Sequence, residues 1–212
     1  MKLLEPKNLE RIVVRGTNWV GDAVMTVPAL RELRRLLPGS HITLATRSWA
    51  EGIFSGADFL DDLLIQDWRG PWSVVKTVRE WRRHKFDLAL IFPNAFESAL
   101  VPALAGVPFR IGYATDGRKL FLTHPLPLPQ WRNSKHEVFY YLHIVSELGR
   151  LLGVETMLDE TPNISLQIAE ADQTEALTLI NSQSGRESRR LVALCPGSIN
   201  SRAKRWPAER YA

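Results

Sequence analysis

Apolar runs typical of strands alternate with amphipathic stretches along the first three quarters of the chain. Short runs rich in β-branched and aromatic residues predict five strands, at residues 11–15, 41–46, 63–65, 86–92 and 109–113. Apolar positions at helical spacing predict helices at residues 22–37, 72–84, 97–105 and 138–152. Because the predicted strands are almost continuously apolar and helices separate them, we expect an α/β fold with a parallel sheet covered on both faces.

Proline positions interrupt this pattern in two places. Pro28 falls inside the helix predicted at 22–37, and a proline deep in a helix costs about 3 kcal/mol. The regular helix therefore either begins near Val27 or bends there. Residues 124–129 contain three prolines in six residues, so this tract is predicted to be an extended loop.

The last quarter of the chain is more polar and less periodic. Within residues 154–190 the pattern predicts a strand at 164–168, a helix at 170–180 and then a linker. The apolar run 191–194 predicts one more strand, and residues 206–211 resemble the first turn of a helix. One strand, a loop and one helical turn cannot bury a face of their own, so we expect them either to dock on the first domain or to begin a second, incomplete domain.

Composition and charge narrow the class of protein. The 212 residues are 45% hydrophobic and 24% charged, and no apolar run approaches the roughly 20 residues needed to cross a bilayer. The single cysteine, Cys195, excludes an internal disulfide and fits a reducing compartment. The net charge is +4, but residues 186–212 concentrate seven Lys and Arg against two acids. This basic end is either a solvated surface or a binding segment for a polyanion, a lipid or a phosphate-bearing molecule.

The first candidate site is the loop after the first predicted strand, Arg15 to Asp22. Ligands of open α/β sheets gather at the carboxyl ends of strands, where this loop lies. The loop contains two glycines but matches neither the dinucleotide-binding nor the phosphate-loop motif. Asp22 stands at the start of the predicted helix, so its carboxylate is interpreted either as a helix cap or as a catalytic group.

The second candidate site follows the strand predicted at 191–194. Gly197 and Ser198 can direct amides and a hydroxyl toward an anion, and Lys204 and Arg205 supply positive charge before a helix start. This arrangement fits a diphosphate site, and a basic surface loop is the alternative. The sequence contains neither the spacing of a metal site nor a Gly-x-Ser-x-Gly nucleophile motif.

Other charged and aromatic residues are weaker candidates. Trp72 and Trp81 follow the spacing of a helix face, so we interpret them as core residues rather than as platforms for stacked bases. No recognised nucleic-acid-binding motif accompanies the basic segment. Basic residues on or beside loops of the first domain could bind an acidic acceptor, although each alone is typical of a solvated surface: Arg110, Arg118, Lys119, Arg132, Lys135 and His136.

Taken together, the two candidate sites carry a family resemblance. Residues 15–30 read Arg-Gly-Thr-Asn-Trp-Val-Gly-Asp-Ala-Val-Met-Thr-Val-Pro-Ala-Leu. Residues 195–198 read Cys-Pro-Gly-Ser, and residues 203–207 read Ala-Lys-Arg-Trp-Pro. In this order, the segments resemble the lipopolysaccharide heptosyltransferases of glycosyltransferase family 9. Their residues are most similar to those of the heptosyltransferase II group.

The resemblance implies a GT-B architecture, in which two Rossmann-like domains face each other across a cleft. Residues 1–168 would form the acceptor-binding domain, residues 169–190 a helix and linker, and residues 191–212 the incomplete start of the nucleotide-sugar-binding domain. The family transfers heptose with inversion, without a metal or a cofactor, from ADP-L-glycero-D-manno-heptose to heptosyl-Kdo2-lipid A in the inner core of lipopolysaccharide.

Individual residues take roles from this resemblance. Asp22 matches the general base, Lys204 matches the group that stabilises the leaving diphosphate, and Ser198 is a further donor-binding residue. The residues expected to bind the acceptor are Arg15, Asn18, Trp19, Arg118 and Lys119.

The resemblance also sets expectations for partners and activity. The partners are an ADP-heptose donor, a lipid-linked acceptor and the cytoplasmic face of the inner membrane, which the protein contacts peripherally from the cytoplasm; no nucleic acid is expected. Because family members continue well past this point, we expect the chain alone to have little transferase activity. The alternatives are a relative that uses a different sugar donor or acceptor, and a non-catalytic acceptor-binding fragment.

Overall fold

A computed structural model describes most of the chain, as two compact units formed by residues 1–169 and 170–212. The described residues are 5–67, 71–156, 161–168, 170–184, 192, 194 and 205–210. The predicted strand at 191–194 lies outside them except for Val192 and Leu194, and Cys195 lies outside them as well. Among the described residues, no helix combines the length and the apolar character that crossing a membrane requires.

The first unit contains a six-stranded sheet in which every pairing is parallel. Its strands, listed in chain order, are β1 Arg11–Arg15, β2 His41–Thr46, β3 Asp62–Ile65, β4 Leu88–Ile91, β5 Phe109–Tyr113 and β6 His124–Leu126. Their spatial order is β3-β2-β1-β4-β5-β6. Strands β2 and β3 therefore extend the sheet on one side of β1. The chain then crosses to the other side of β1, where β4, β5 and β6 extend the sheet. The boundary between β1 and β4 is the switch point at which open α/β sheets bind ligands.

Helices cover the sheet on both faces. The helices of the first unit, in chain order, are α1 Val20–Met25, α2 Val27–Leu36, α3 Glu51–Phe54, α4 Pro71–His84, α5 Phe96–Ala105 and α6 Glu137–Leu152; the second unit contains α7 Glu170–Ser184. Successive residues of β1 point to opposite faces. Ile12 and Val14 belong to the cluster that contains α2 and α6, whereas Val13 packs with α4 and α5. The predicted α/β class and the predicted two-sided parallel sheet are thus confirmed.

The proline at position 28 divides the first predicted helix into two. Helix α1 ends at Met25 and α2 begins at Val27, which places Pro28 in the first turn of α2, where a proline is tolerated. Between the helices, Thr26 Oγ1 donates a 2.6 Å hydrogen bond to the carbonyl oxygen of Ala23. The single helix predicted at 22–37 is wrong, and the predicted restart near Val27 is confirmed.

The proline tract also differs from its prediction. Its first three residues, His124–Leu126, form strand β6 and pair with β5, and Pro125 lies opposite Gly112. The extended loop expected over 124–129 is therefore wrong for these residues. The reason is that β6 is an edge strand, where a proline can face away from the pairing partner without removing a ladder hydrogen bond.

Helix α4 corrects the assignment of one tryptophan. Trp81 is fully buried against the sheet, as predicted, but 83% of Trp72 is exposed, so the core assignment of Trp72 is wrong. The two are nine positions apart, and nine steps of about 100° leave them on opposite faces of the helix. Val75 is also exposed.

Near the end of the first unit the predicted strand at 164–168 is absent. Arg31 of α2 donates hydrogen bonds to the carbonyl oxygens of Asn163 (3.3 Å) and Ser165 (2.7 Å), so a side chain satisfies backbone acceptors that a neighbouring strand would otherwise bind. In the second unit, the helix predicted at 170–180 is confirmed as α7. The helical turn predicted at 206–211 is confirmed as a single 3-10 turn, Ala208–Arg210.

Candidate functional site

Two loops meet at the switch point of the sheet, one after β1 and one after β4. The backbone N–H of Gly16 donates to the carbonyl oxygen of Ala45 (2.9 Å), and that of Phe92 donates to the carbonyl oxygen of Arg15 (3.2 Å). A Cβ at position 16 would lie 3.2 Å from both the Ala45 oxygen and Leu44 Cδ1. Glycine at this position therefore lets the loop leave β1 while packed tightly against β2.

An open pocket of about 430 Å³ lies between these loops and the N-terminal part of α6. The loop after β1 continues into α1 and forms one wall, the loop after β4 forms a second, and the segment leading into α6 forms a third. The lining residues are Thr17, Asn18, Trp19, Asp22, Phe92, Pro93, Asn94, Ala95, Arg132, Glu137, Tyr140 and Tyr141.

Asp22 is the half-buried carboxylate of this pocket. Helix α1 begins two residues earlier, at Val20, and its N-cap residue is Trp19, whose side chain makes no capping hydrogen bond. Asp22 therefore lies inside the first turn, and the helix-cap interpretation is wrong. Its carboxylate makes no hydrogen bond to any residue that the structure describes, so its structural contribution there is limited to the favourable position of an acid in the first turn of a helix.

Burial and neighbouring charges shift the acidity of Asp22. Partial burial raises its pKa, the nearby Glu137 carboxylate raises it further, and the Arg132 guanidinium opposes both. Arg132 is itself paired with Glu137, with Nη1 2.6 Å from Oε2 and Nη2 3.1 Å from Oε1. A carboxylate with a raised pKa is a stronger base when ionised, which suits the removal of a proton from a hydroxyl.

Arg132 also contacts the aromatic wall of the pocket. Its guanidinium carbon lies 4.1 Å from the centre of the Tyr140 ring, a cation–π contact. Carboxylate pairing on one side and ring stacking on the other fix the direction of this cation. A guanidinium held in this way can bind a carboxylate or phosphate of a ligand without first losing side-chain entropy.

Asn94 forms the opposite side of the pocket. Its Oδ1 accepts hydrogen bonds from the Tyr140 hydroxyl (3.0 Å) and from Arg118 Nη2 (3.3 Å). Two donors on Oδ1 determine the orientation of the amide, which leaves Nδ2 as a donor. The pocket thus combines a carboxylate acceptor, Asp22, with an amide donor and a guanidinium.

Arg118 is fully buried, which makes the expectation of a solvated surface charge wrong. It donates to Tyr113 O (2.7 Å) and Ser98 Oγ (2.9 Å), and also to the carbonyl oxygen of Pro93. Burial lowers its pKa. The sequence alone could not predict this burial, because no sequence pattern distinguishes a buried arginine bonded to carbonyl groups from an exposed arginine. Arg118 holds the loop after β4 rather than presenting its charge to solvent.

The remaining predicted residues occupy different positions. Asn18 and Trp19 line the pocket with Asp22, and 59% of Trp19 is exposed. Arg15 is buried and donates to the Gly16 carbonyl oxygen and to Asn18 Oδ1 (3.1 Å), so it orients Asn18. Lys119 is exposed and is not a lining residue.

The predicted donor-binding residues, Ser198 and Lys204, lie outside the described residues. Within the described part of the chain, no cluster of three His, Cys, Asp or Glu side chains could hold a metal ion. Asn94, Glu137, Tyr140 and Tyr141 were missed as site residues, and Arg132 was only a weak candidate. Asn94 could have been found, since it follows β4 at the same sheet edge that singled out the loop after β1.

Comparison with known proteins gives a consistent family. Lipooligosaccharide heptosyltransferase 2 of Haemophilus ducreyi is 25% identical over 209 residues, covering 95% of this chain and 58% of that protein. Lipopolysaccharide heptosyltransferase 2 of Escherichia coli is 26% identical over 208 residues, again covering 95% and 58%. The structure of the E. coli ADP-heptose heptosyltransferase II superposes with a TM-score of 0.75 at 24% identity, covering 95% of this chain and 59% of that one.

The chain thus spans a little over half the length of these relatives. The model of glycosyltransferase family 9 (heptosyltransferase) matches residues 74–212, well over half of the chain. This match includes Asn94, Arg132 and Tyr140 of the pocket, and the relatives' alignments extend over nearly all of the remainder. The chain belongs to glycosyltransferase family 9, the heptosyltransferases.

Proposed function

We propose that this chain forms the acceptor-binding half of an inverting heptosyltransferase. The enzyme would transfer heptose from ADP-L-glycero-D-manno-heptose to heptosyl-Kdo2-lipid A in the inner core of lipopolysaccharide. The observation that carries the proposal is the half-buried Asp22 carboxylate in the switch-point pocket, beside the oriented Arg132 cation. The names of the relatives, lipopolysaccharide and lipooligosaccharide heptosyltransferase 2, support the choice of sugar and acceptor.

The proposed reaction is a single displacement at the anomeric carbon of the heptose. The Asp22 carboxylate removes the proton of the acceptor hydroxyl as that oxygen attacks the carbon, and the bond from the carbon to the ADP oxygen breaks. The electron pair of that bond leaves with ADP, and attack from the opposite face inverts the configuration. Lys204 and Ser198 are proposed to stabilise the departing diphosphate.

Acceptor recognition is proposed to use both charged and neutral groups. Arg132 would bind a carboxylate or phosphate of the acceptor, and Trp19 and Asn18 would contact its sugars. Lys119 would act at longer range from the rim, while Arg15 would act by orienting Asn18.

Arg118 is proposed to contribute indirectly, through Asn94, because it is fully buried. The lipid of the acceptor would remain in the cytoplasmic face of the inner membrane, where the protein would contact it peripherally.

The test is a transfer assay with an extended chain, in which this chain is joined to the part of E. coli heptosyltransferase 2 that it does not match. With ADP-heptose and de-O-acylated heptosyl-Kdo2-lipid A, we expect ADP release and a product heavier by one heptose. The 212-residue chain alone is expected to bind the acceptor, seen as a change in tryptophan fluorescence, and to release little ADP. Absence of acceptor binding by the 212-residue chain would contradict the proposal even if the extended chain did not fold.

The same assay separates the alternative functions. Turnover with another nucleotide sugar but not with ADP-heptose would make the protein a relative with a different donor. Acceptor binding by a well-folded extended chain that shows no turnover with any donor would indicate a non-catalytic acceptor-binding protein.

The pH dependence of the extended chain should respond to the two charges beside Asp22. The ionised carboxylate is the active form. The value of kcat/KM is therefore highest at pH values above the Asp22 pKa and falls as the pH drops through that pKa. Glu137→Gln removes a charge that raises this pKa, so the acid limb should move to lower pH. Arg132→Gln removes the opposing charge, so the limb should move to higher pH.

Glu147→Gln is the matched control for these shifts. Glu147 lies on the same helix as Glu137 but pairs with Arg150 (2.7 Å), and it is not among the groups that shift the Asp22 pKa. Its profile should match that of the parent chain. Shifts in the same direction for Glu137→Gln and Arg132→Gln would show that Asp22 does not set the acid limb.

A further inference from the structure

The outward face of α4 combines an exposed indole with a row of cations. The helix runs from Pro71 to His84 and buries Val78 and Trp81 against the sheet. Its other side presents Trp72, 83% exposed, and Val75, 40% exposed. The described residues cover each of these two apolar side chains only in part.

The cations follow the same face. Lys76, Arg79 and Arg83 are exposed and stand four, seven and eleven residues after Trp72, the spacing of one helix face. Together with Trp72 and Val75 they form what we call the α4 surface, and these five residues line a shallow groove with Glu80. Concentrated positive charge beside an exposed indole is unusual for a face that only meets water.

Neighbouring groups leave this face cationic. Glu80, the acid on α4, is half-buried, and its Oε2 accepts a 3.2 Å hydrogen bond from Gln66 Nε2 at the end of β3. Arg82 donates 2.7 Å and 3.2 Å hydrogen bonds to the carbonyl oxygen of Leu104. The Leu104 side chain is exposed as well, so the apolar character continues onto α5.

We propose that the α4 surface docks on an anionic phospholipid bilayer. Lysine and arginine side chains on an amphipathic helix pair with headgroup phosphates, and an indole inserts at the level of the headgroups. Neither contribution alone gives stable binding, but a cationic row and an apolar anchor on one face act together.

The position of α4 in the fold fits this occupant. The helix follows β3, so its first turn, with Trp72, lies at the carboxyl edge of the sheet, the edge at which the pocket containing Asp22 opens. A bilayer held there would keep a lipid-linked acceptor within reach of the pocket. The choice of a lipid surface as the occupant rests on the proposed function.

The test is flotation of the 212-residue chain with vesicles, without donor or acceptor. We expect binding to vesicles of phosphatidylethanolamine and phosphatidylglycerol in a 3:1 ratio and little binding to pure phosphatidylcholine. Each cation near an anionic surface contributes a factor of about five, so Lys76→Glu/Arg79→Glu/Arg83→Glu should weaken partitioning by roughly 100-fold or more.

A triple variant at the amino edge of the sheet is the matched control. Lys7, Arg11 and Arg150 are exposed, and replacing all three by Glu changes the net charge by the same amount. This variant should retain most of the binding, because none of these three residues lines the groove of the α4 surface. Equal losses in the two triple variants would reduce the effect to overall charge and overturn the proposal.

The tryptophan gives an independent measurement. Trp72→Ser should weaken partitioning without changing the net charge, and the blue shift of tryptophan emission on vesicle binding should shrink in Trp72→Phe. Unchanged partitioning in both variants would overturn the proposal. Tighter binding of a single-stranded oligonucleotide than of vesicles would also overturn the proposal, provided that the α4 triple variant loses the oligonucleotide binding. The α4 surface would then bind nucleic acid rather than a bilayer.

Failure of this inference can be told apart from failure of the proposed function. Vesicle binding requires no chemistry, and Asp22→Asn should bind vesicles as the parent chain does. Turnover of the extended chain on the de-O-acylated acceptor requires no membrane. Every variant compared must show the circular dichroism spectrum and the melting temperature of the parent chain.

Discussion

Asp22→Asn is expected to lower kcat of the extended chain by about 100- to 10,000-fold, with a much smaller change in KM for the acceptor. Asparagine has the same shape as aspartate but cannot take the proton of the attacking hydroxyl. The carboxylate makes no hydrogen bond to any described residue, and the burial that raises its pKa offsets the favourable position of an acid in the first turn of α1, so the fold gains little from its charge. The melting temperature should stay the same or rise slightly.

Asp116→Asn is the control for this substitution. Asp116 is an exposed acid on the loop after β5, and its φ of 50° lies in a region that asparagine adopts as readily as aspartate. Its replacement makes the same chemical change outside the pocket and should leave kcat near that of the parent. Steady-state rates and thermal unfolding, measured on both variants, distinguish the two cases. An unchanged kcat in Asp22→Asn would remove Asp22 from the mechanism.

Much of the sheet could be predicted because its signals are local. Strands β1, β2, β4 and β5 are short apolar runs between helices, and the period of each run is visible without any contact information. Strand β6 could not be predicted in this way, because its prolines are tolerated only through its place at the sheet edge, and that place depends on tertiary structure.

Trp72 shows a different limit of local patterns. It shares a helix with Trp81, and an apolar side chain indicates a buried face only when it lies in phase with the others. The two are nine residues apart, so only one of them can face the sheet. A count of the helical phase could have separated them.

The site was predicted only on the side that follows β1, although the same rule also applied to Asn94 after β4. Asp22 was found because ligands gather after the first strand of such sheets. Arg132 and Tyr140 lie far from Asp22 in the chain, and only the packing of α6 beside the loop after β4 brings them to the same pocket. One sequence carries no information on such pairings.

Arg118→Met is expected to destabilise the first unit by about 3–5 kcal/mol, because it removes a charged donor from several buried acceptors at once. The groups that lose this donor are the carbonyl oxygens of Pro93 and Tyr113 and the side chains of Ser98 and Asn94, and each of them keeps at least one other hydrogen-bond partner. Hydrogen bonds from a charged donor contribute about 1.5–3 kcal/mol each, and the remaining partners and the packing of the methionine recover part of the loss. For a protein of this size, the melting temperature should fall by roughly 10 °C.

The neighbouring residue provides the control and separates stability from function. Lys119→Met changes the same charge at an exposed position in the same 3-10 turn, and it should alter the unfolding free energy by less than about 0.5 kcal/mol. Below its melting temperature, Arg118→Met should also bind the acceptor more weakly, because Asn94 then keeps only the Tyr140 hydroxyl as a partner for Oδ1. Differential scanning calorimetry and acceptor titration measure the two effects. If Arg118→Met melts like Lys119→Met, the buried guanidinium does not hold the loop after β4, and the pocket wall must be stabilised by packing alone.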